Sequence, residues 1–393
     1  MSERVEQKDW QQNSLRFLFR QFRQNIIKFA ITELGPGASQ RAKMDHIPSE
    51  VIHKLAQSGI LGLNISPKHG GQPRDWVSIG IAFEEIAKID FSPIILIINA
   101  VIVPFFLERA QEQLSAEWLP ALCRGEKIVC FGNTEPDCGS DASAIKSRAV
   151  RDGVTYRITG EKTSISLGMQ ADAMIMTART DQEAGARGIT CFFVPLSLPS
   201  ITRSVFSDMG FISAGRASIW LDNVRLPIEL RIGEEGEGFI NVMKGFDFTR
   251  VLVALAGIGM AEASLAEVSG YVKQRKAFGI SISRFEGVSF KLAEDATLLE
   301  AARLVCYKAL KLRDEGLPNS KEAAMAKWYS TECAVRALHD ILLIFGNRGY
   351  SESNPVEQRL RDAIGICIGD GTAEIMKLII AREIIGEKDW PIM

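Results

Sequence analysis

The apolar residues of this chain change their spacing twice, and that change limits the folds open to it. Up to about Arg124 they recur with helical spacing, in amphipathic runs such as 14–32 and 48–61, punctuated by the turn Ser66-Pro67-Lys68-His69-Gly70-Gly71. From about Lys127 to Pro227 the period falls to two. Val154, Tyr156 and Ile158 alternate with polar residues after the turn pair Asp152-Gly153, and Ala173–Ala178, Ile189–Val194 and Ala217–Leu221 read as further short strands. From Gly236 the helical period returns, with Phe239, Val242, Met243 and Phe246 at i, i+3, i+4 and i+7. Gly316-Leu317-Pro318 ends one long helix, and Ser320 is placed to cap the next. The pattern predicts an α+β chain in three parts: an N-terminal helical domain over 1–126, a central β-domain over 127–235 and a bundle of four helices over 236–393.

Charge and composition remove several functional classes. A net charge of -2 gives no general attraction to nucleic acid or to an anionic membrane, so an anionic ligand must be held by a few local cations. The seven cysteines are scattered and form no CxxC pair, which argues against a disulfide framework or a zinc site and for a reducing cytoplasm. The N-terminal MSERVEQKDWQQ lacks the apolar core of a secretory signal. The uncharged stretch from Phe91 to Leu107 is broken by Pro93, Asn99 and Pro104 and falls short of the roughly 20 apolar residues of a membrane span; it reads as a buried helix. Of the four histidines, His46, His53, His69 and His339, none stands at metal spacing with another ligand, and His339 is expected on a helix surface or in the core. There is no GxSxG elbow, no GxGxxG after a strand and no GxxxxGK[ST], so hydrolytic triads, Rossmann sites and P-loops lack support.

One loop stands out for chemistry. Asn133-Thr134-Glu135-Pro136-Asp137-Cys138-Gly139-Ser140-Asp141 is dense in small and hydroxyl residues; amides beside Gly139 and Ser140 can approach a ligand closely, and Thr134 and Ser140 add short hydrogen-bonding groups. Alone it could equally be a surface turn. Four other strings accompany it: Gly160-Glu161-Lys162 followed by Ala171-Asp172; Arg275-Lys276-Ala277-Phe278-Gly279; Asn354-Pro355-Val356-Glu357 with Arg361-Asp362-Ala363; and Asp370-Gly371-Thr372-Ala373-Glu374-Ile375. In this order and spacing, over nearly the whole chain, they resemble the signature segments of the acyl-CoA dehydrogenase family.

The resemblance implies a helical domain, a β-barrel-like domain and a four-helix bundle, usually assembled as a homotetramer, with FAD between the β-domain and the bundle. Phe131, Asn133, Thr134 and Gly139 would lie along the flavin, and Ser164 and Ser166 would flank it from the neighbouring strand. Arg275 and Phe278 would reach the FAD of a partner subunit, where a guanidinium suits the pyrophosphate. Thr372 and Glu374 would meet the FAD from the helix after the base. Phe246-Asp247-Phe248-Thr249-Arg250 matches a segment that holds the CoA arm, with Asp247 and Arg250 as candidates and Ser140 near the thioester; the alternative for Asp247 and Arg250 is a surface i, i+3 ion pair. An acyl-CoA would be the substrate and an electron-transferring flavoprotein the acceptor.

Dehydrogenation between Cα and Cβ needs a carboxylate against the α-proton and a hydride acceptor facing Cβ. The family's usual glutamate before Gly-Thr is here Asp370, and Thr249 holds the place where a second branch keeps its glutamate. Asp370 is thus the only base the family pattern supplies; its structural alternative is a helix N-cap. An aspartate sets the carboxylate back by about 1 Å, a shift large enough to matter for proton transfer. Gly369 stands where an aromatic residue commonly precedes the base, Ser164 where a tryptophan is common, and Leu343 and Asn347 where the adenosine half of FAD is usually met. These departures suggest a bulky acyl group, such as cyclohexane- or cyclohexene-carbonyl-CoA. Asp90 could be a second carboxylate at the acyl pocket, or an N-cap. Rival readings are a dehydrogenase of carrier-protein-bound acyl groups, suggested by Gly346-Asn347-Arg348-Gly349, and a nitroalkane-oxidase-like flavin oxidase, in which Lys377 stands where an arginine is needed. A non-enzymatic protein of this fold is disfavoured by the retained Thr134, Ser140, Arg250, Arg275 and Thr372.

Overall fold

The computed structural model describes residues 19–386. The chain opens with helical residues 19–29 (α1), a π turn over Ala30–Leu34, α2 (Ala38–Arg41), α3 (Ser49–Gln57), α4 (Trp76–Ile89), α5 (Ile94–Leu107) and α6 (Glu112–Cys123). The start of the helix expected over 14–32 lies outside the described residues. Asp75 begins α4 by accepting the Ser78 N–H at 2.7 Å, the usual satisfaction of an orphan donor in a first turn. α5 is apolar on every face and buried on nearly all of them, only Ile95 and Phe105 being partly exposed.

Eight strands follow: β1 (Val129–Gly132), β2 (Arg148–Asp152), β3 (Thr155–Ile165), β4 (Ala173–Arg179), β5 (Ile189–Pro195), β6 (Ile201–Val205), β7 (Ala217–Pro227) and β8 (Arg231–Ile232). They pair in the order β6-β7-β3-β2-β4-β5-β8, with β1 parallel to β4. β2 meets β4 only at Arg148–Arg179, so the sheet is two halves joined at one point. Tyr156 and Ile158 point inward as the alternation requires. Val154 does not; it sits in the turn before β3 and is 73% exposed. β1, β2, β6 and β8 carry no clear period of two: β1 is a short buried run, whereas β2 and β6 are mostly exposed.

The C-terminal part is α7 (Gly238–Gln274), a hairpin of β9 (Lys276–Ala277) and β10 (Ile280–Ser281), α8 (Glu286–Asp314), α9 (Ser320–Phe345), α10 (Pro355–Ile368) and α11 (Ala373–Ile385). The fourth member of the expected bundle is broken in two, since α10 and α11 both pack on α9 and are separated by residues 369–372. Ser320 is the first residue of α9 rather than its cap; Asn319 holds the cap position. By length and composition α7 is apolar enough to cross a membrane, but two thirds of its most apolar window is buried within the protein. It approaches α4 closely because Gly259 has no side chain: a Cβ there would stand 2.3 Å from the Glu84 carbonyl oxygen.

A loop of the β-domain, 209–215, is wedged between the other two parts. The Phe211 N–H donates to Asp362 on α10 at 2.5 Å, and Arg361 Nη1 donates to the Met209 carbonyl at 2.6 Å. On the other side the Phe211 ring stacks on Phe91 at 4.5 Å, and Ser213 Oγ donates to the Ser92 carbonyl at 3.3 Å. Burial pushes the Asp362 carboxyl up to about 6, against the Phe211 N–H and Gln358, which favour the anion. Because the folded value is raised, the folded chain binds more protons than the unfolded one between about pH 4 and 6, and stability falls as pH rises through that window. Asp362→Asn keeps an acceptor for Phe211 and removes the charge, while Gln358 can turn its amide to match. Urea unfolding should find this variant more stable than the parent by about 1–3 kcal/mol at pH 7.5, with the gap closing towards pH 4. A variant less stable at both pH values would mean that the junction requires the anion.

Candidate active site

The break between α10 and α11 places one carboxylate in an unusual backbone. Asp370 has φ 57° and Gly371 φ 107°, and the chain then re-enters a helix with Thr372 at the cap position. Asp370 is therefore not the N-cap. The φ of Gly371 is one that side chains rarely adopt, so the turn favours glycine there. At Gly369 the reverse holds: a Cβ would find only the Gly365 carbonyl oxygen, at 3.9 Å, and open space beyond.

Arg250 on α7 holds this turn. Its Nε donates to the Asp370 carbonyl at 2.8 Å, and its Nη1 lies 3.5 Å from Asp247 Oδ1. Asp247 in turn accepts from Ser320 Oγ at 2.6 Å. Arg250 is only 4% exposed, so its i, i+3 pairing with Asp247 is a buried contact and not a surface ion pair. Burial lowers its affinity for the proton, against the charges of Asp247 and Asp370. Its guanidinium also lies 5.5 Å from the Phe246 ring, and that ring stands 6.0 Å from Phe131 on β1. The contacts Phe131, Phe246, Arg250, Asp370 thus run unbroken from the β-domain to the carboxylate turn.

On the β side, the loop 133–141 is shaped by a buried network. Lys162 Nζ donates to Glu135 Oε1 at 2.7 Å and to the Asn133 carbonyl at 3.1 Å, while Thr177 Oγ1 donates to Asn133 Oδ1 at 2.9 Å. Glu135 also accepts the N–H groups of Lys146 and Ser147. Burial raises the Glu135 carboxyl, but the Lys162 ammonium and these donors outweigh it and hold it below the usual range. A turn bond, Thr163 N to the Thr134 carbonyl at 2.9 Å, ties the loop to β3 where the ladder slips between Lys162 and Ile165. Ser164 sits in that bulge at φ 58°. The hydroxyls of Thr134, Ser140, Ser164 and Ser166 make no side-chain hydrogen bond among the described residues, and Gly139 has open space around it.

Other expected residues lie elsewhere. Arg275 and Phe278 are on the hairpin between α7 and α8, both exposed. Phe278 and Gly279 have φ 51° and 83°, a type I′ tip, and the Phe278 ring is 95% exposed. Glu374 is exposed on the first turn of α11, and Leu343 and Asn347 are exposed at the end of α9 and beyond. Asp90 is not brought to Asp370. Its carboxylate accepts from Arg41 Nε at 2.7 Å and from Ser92 N at 2.9 Å, and it borders a cleft with Gln358, Arg359 and Arg361, the half of α10 remote from Asp370. Its burial raises its proton affinity, with Arg41 opposing. Pro93, not Asp90, holds the cap position of α5, and Asp90 instead closes α4. Sequence reasoning missed the Lys162–Glu135–Thr177 network and buried Lys327 on α9. A lysine in line with Ala323, Ala324 and Ala334 was the available signal for the latter.

Family models match most of the chain: "Acyl-CoA dehydrogenase, N-terminal domain" over 19–126, the middle domain over 130–224 and the C-terminal domain over 236–385. The chain is 34% identical over 367 residues to an acyl-CoA dehydrogenase of Bacillus subtilis, covering 93% of this chain and 97% of that one. It is 35% identical over 361 residues to the 3-(aryl)acrylate reductase of Clostridium sporogenes, covering 91% and 96%. The solved butyryl-CoA dehydrogenase of Megasphaera elsdenii superposes with a TM-score of 0.88 at 33% identity, covering 93% and 98%.

The network beneath the loop has a direct test. Glu135→Gln leaves the buried Lys162 ammonium without its anion and should lower stability by about 3–5 kcal/mol in urea unfolding. The double variant Glu135→Gln/Lys162→Met should recover a large part of that loss. A double variant no more stable than the single one would show that the pair is not what holds the loop.

Proposed function

The chain belongs to the acyl-CoA dehydrogenase family, and on that premise we propose that it is an FAD-dependent dehydrogenase that takes an α-proton and a β-hydride from a ring-bearing acyl-CoA. The observation that carries this reading is the Asp370 turn, a left-handed backbone pinned through its carbonyl by buried Arg250 and linked to the β-domain through Arg250, Phe246 and Phe131.

FAD, when bound, supplies the hydride acceptor. Phe131, Asn133, Thr134, Gly139, Ser164, Ser166, Thr372 and Glu374 are the residues of this chain to hold it, and Arg275 and Phe278 would serve the flavin of a neighbouring subunit in a homotetramer. Asp370 takes the α-proton. Its carboxylate is kept free because Arg250 binds the backbone carbonyl of that residue rather than its side chain. Asp247, tied to Ser320, and Ser140 at the exposed edge of the loop are the groups for the thioester arm. The acyl group is proposed to be bulky, with cyclohexane- and cyclohexene-carbonyl groups as the class. Open space at Gly369 and a small residue at 164 support this, as does the likeness to a reductase named for aryl acrylates. An electron-transferring flavoprotein is the proposed acceptor.

The purified protein should carry roughly one FAD per chain, and an anaerobic screen of acyl-CoAs should bleach it most rapidly with ring-bearing thioesters. A colourless protein that takes up no flavin would refute the reading. In Asp370→Asn, FAD and acyl-CoA binding should persist while the bleaching rate falls by about 10² to 10⁴, the usual contribution of a positioned base. Asp370→Glu lengthens the carboxylate and should slow the ring-bearing substrate while sparing a straight chain. Wild-type bleaching by Asp370→Asn would place the base elsewhere.

A further inference from the structure

α9 buries one lysine where the rest of its face is small. Lys327 is 1% exposed, and Ala323, Ala324, Ser330, Thr331 and Ala334 are buried around it. Its ammonium lies at the break between α10 and α11. It donates to the Gly371 carbonyl at 3.1 Å and to the Cys367 carbonyl at 3.4 Å. These two carbonyls bracket Asp370. The first belongs to a glycine at φ 107°, and the second is among the last of α10, which have no partner within the helix and carry the negative end of its dipole. From α7, Arg250 holds the carbonyl of Asp370 itself. The carbonyls of residues 367, 370 and 371 are thus each fastened to a buried cation, and with both cations in place the left-handed turn has no route to relax.

We propose that Lys327 is a positioning residue for the base: by holding the carbonyls on either side of Asp370 it fixes the turn that aims the carboxylate, and it sets a positive charge beside it. This rests on the reading of Asp370 as the proton acceptor. Burial pushes the Lys327 ammonium down to about 8, against the Asp370 carboxylate and the Cys367 thiol, which favour the charged form; Arg250 adds to the downward push. On α11, Lys377 is engaged elsewhere, its ammonium lying 4.8 Å from the Trp328 ring. As pH rises through about 8, the folded chain releases this proton. The turn then loses the charge beside its carboxylate and one of the donors that hold it.

The test uses the FAD-loaded full chain and Lys327→Met, which keeps most of the apolar stem of the side chain and removes its donors and charge. Two quantities are read: the anaerobic bleaching rate from pH 6.5 to 9.5, with an acyl-CoA that bleaches the wild type, and amide hydrogen exchange of residues 366–373 at pH 7. Wild type should lose rate severalfold through about pH 8. Lys327→Met should bleach at least about 10-fold more slowly at pH 7, lack that inflection, bind substrate within about threefold of wild type and exchange faster only in this segment. Bleaching within twofold of wild type with the inflection retained would overturn the proposal. Should Lys327→Met fail to fold, Lys327→Gln replaces it: loss of the inflection supports the role and its retention overturns it. If no acyl-CoA bleaches even the wild type, the functional reading has failed. The exchange of residues 366–373 then decides the role of Lys327 alone: faster exchange in the variant supports it and unchanged exchange overturns it.

Discussion

Helix α7 is surrounded by protein along most of its 37 residues, and a helix in that position must have each polar group answered by a neighbour. That constraint orders the rest of the molecule. Gly259 admits the backbone of α4, and Gly80 on α4 in turn lies against Leu255 and Leu310, so three helices approach more closely than larger residues would allow. Arg250 cannot reach water, and its hydrogen bonds go to Asp247 and to the Asp370 carbonyl. The apolar length of one helix therefore dictates where the carboxylate turn sits, although the two are 120 residues apart in sequence. Asn241 Nδ2 and Thr249 Oγ1 are the exceptions, both buried with no partner among the described residues.

Two of the positions with a strained backbone fall where chemistry is expected. Asp370 and Ser164 both occupy the left-handed region without being glycine, at an expense of order 1–3 kcal/mol each. Each is backed by buried charge. The Asp370 turn is held by guanidinium and ammonium groups through backbone carbonyls, and the Ser164 bulge rests on the loop that Lys162 and Glu135 fix from below. At the Asp370 turn these charges hold backbone carbonyls rather than the carboxylate.

Much of the architecture was legible because burial on one face imposes a period. β4 and β5 were evident as apolar segments between turns, and the helical runs were evident from their spacing. β2, with the sequence RAVRD and mostly in water, imposes no such pattern, and β1 is too short to show one. The split of α10 from α11 was hidden for a related reason: apolar residues continue on both sides of the break, at Ile366 and Ile375. At the site, the loop segments stood out through motif order, whereas the burial of Arg250 did not. Its burial and inward turn depend on α9 and the Asp370 turn, which no local spacing encodes. The pairing of Asp90 was hidden likewise, since its partner Arg41 lies 49 residues away.

The hairpin tip between α7 and α8 holds a phenylalanine ring almost wholly in water, on a two-residue turn whose backbone disfavours any residue but glycine at that point. Apolar surface held in solvent by a rigid tip gains free energy from anything that covers it. If another copy of the chain provides that cover, mass action links folding to association, and the apparent melting temperature rises with protein concentration. Thermal stability would then be a property of how much of the protein is present, not of the single chain.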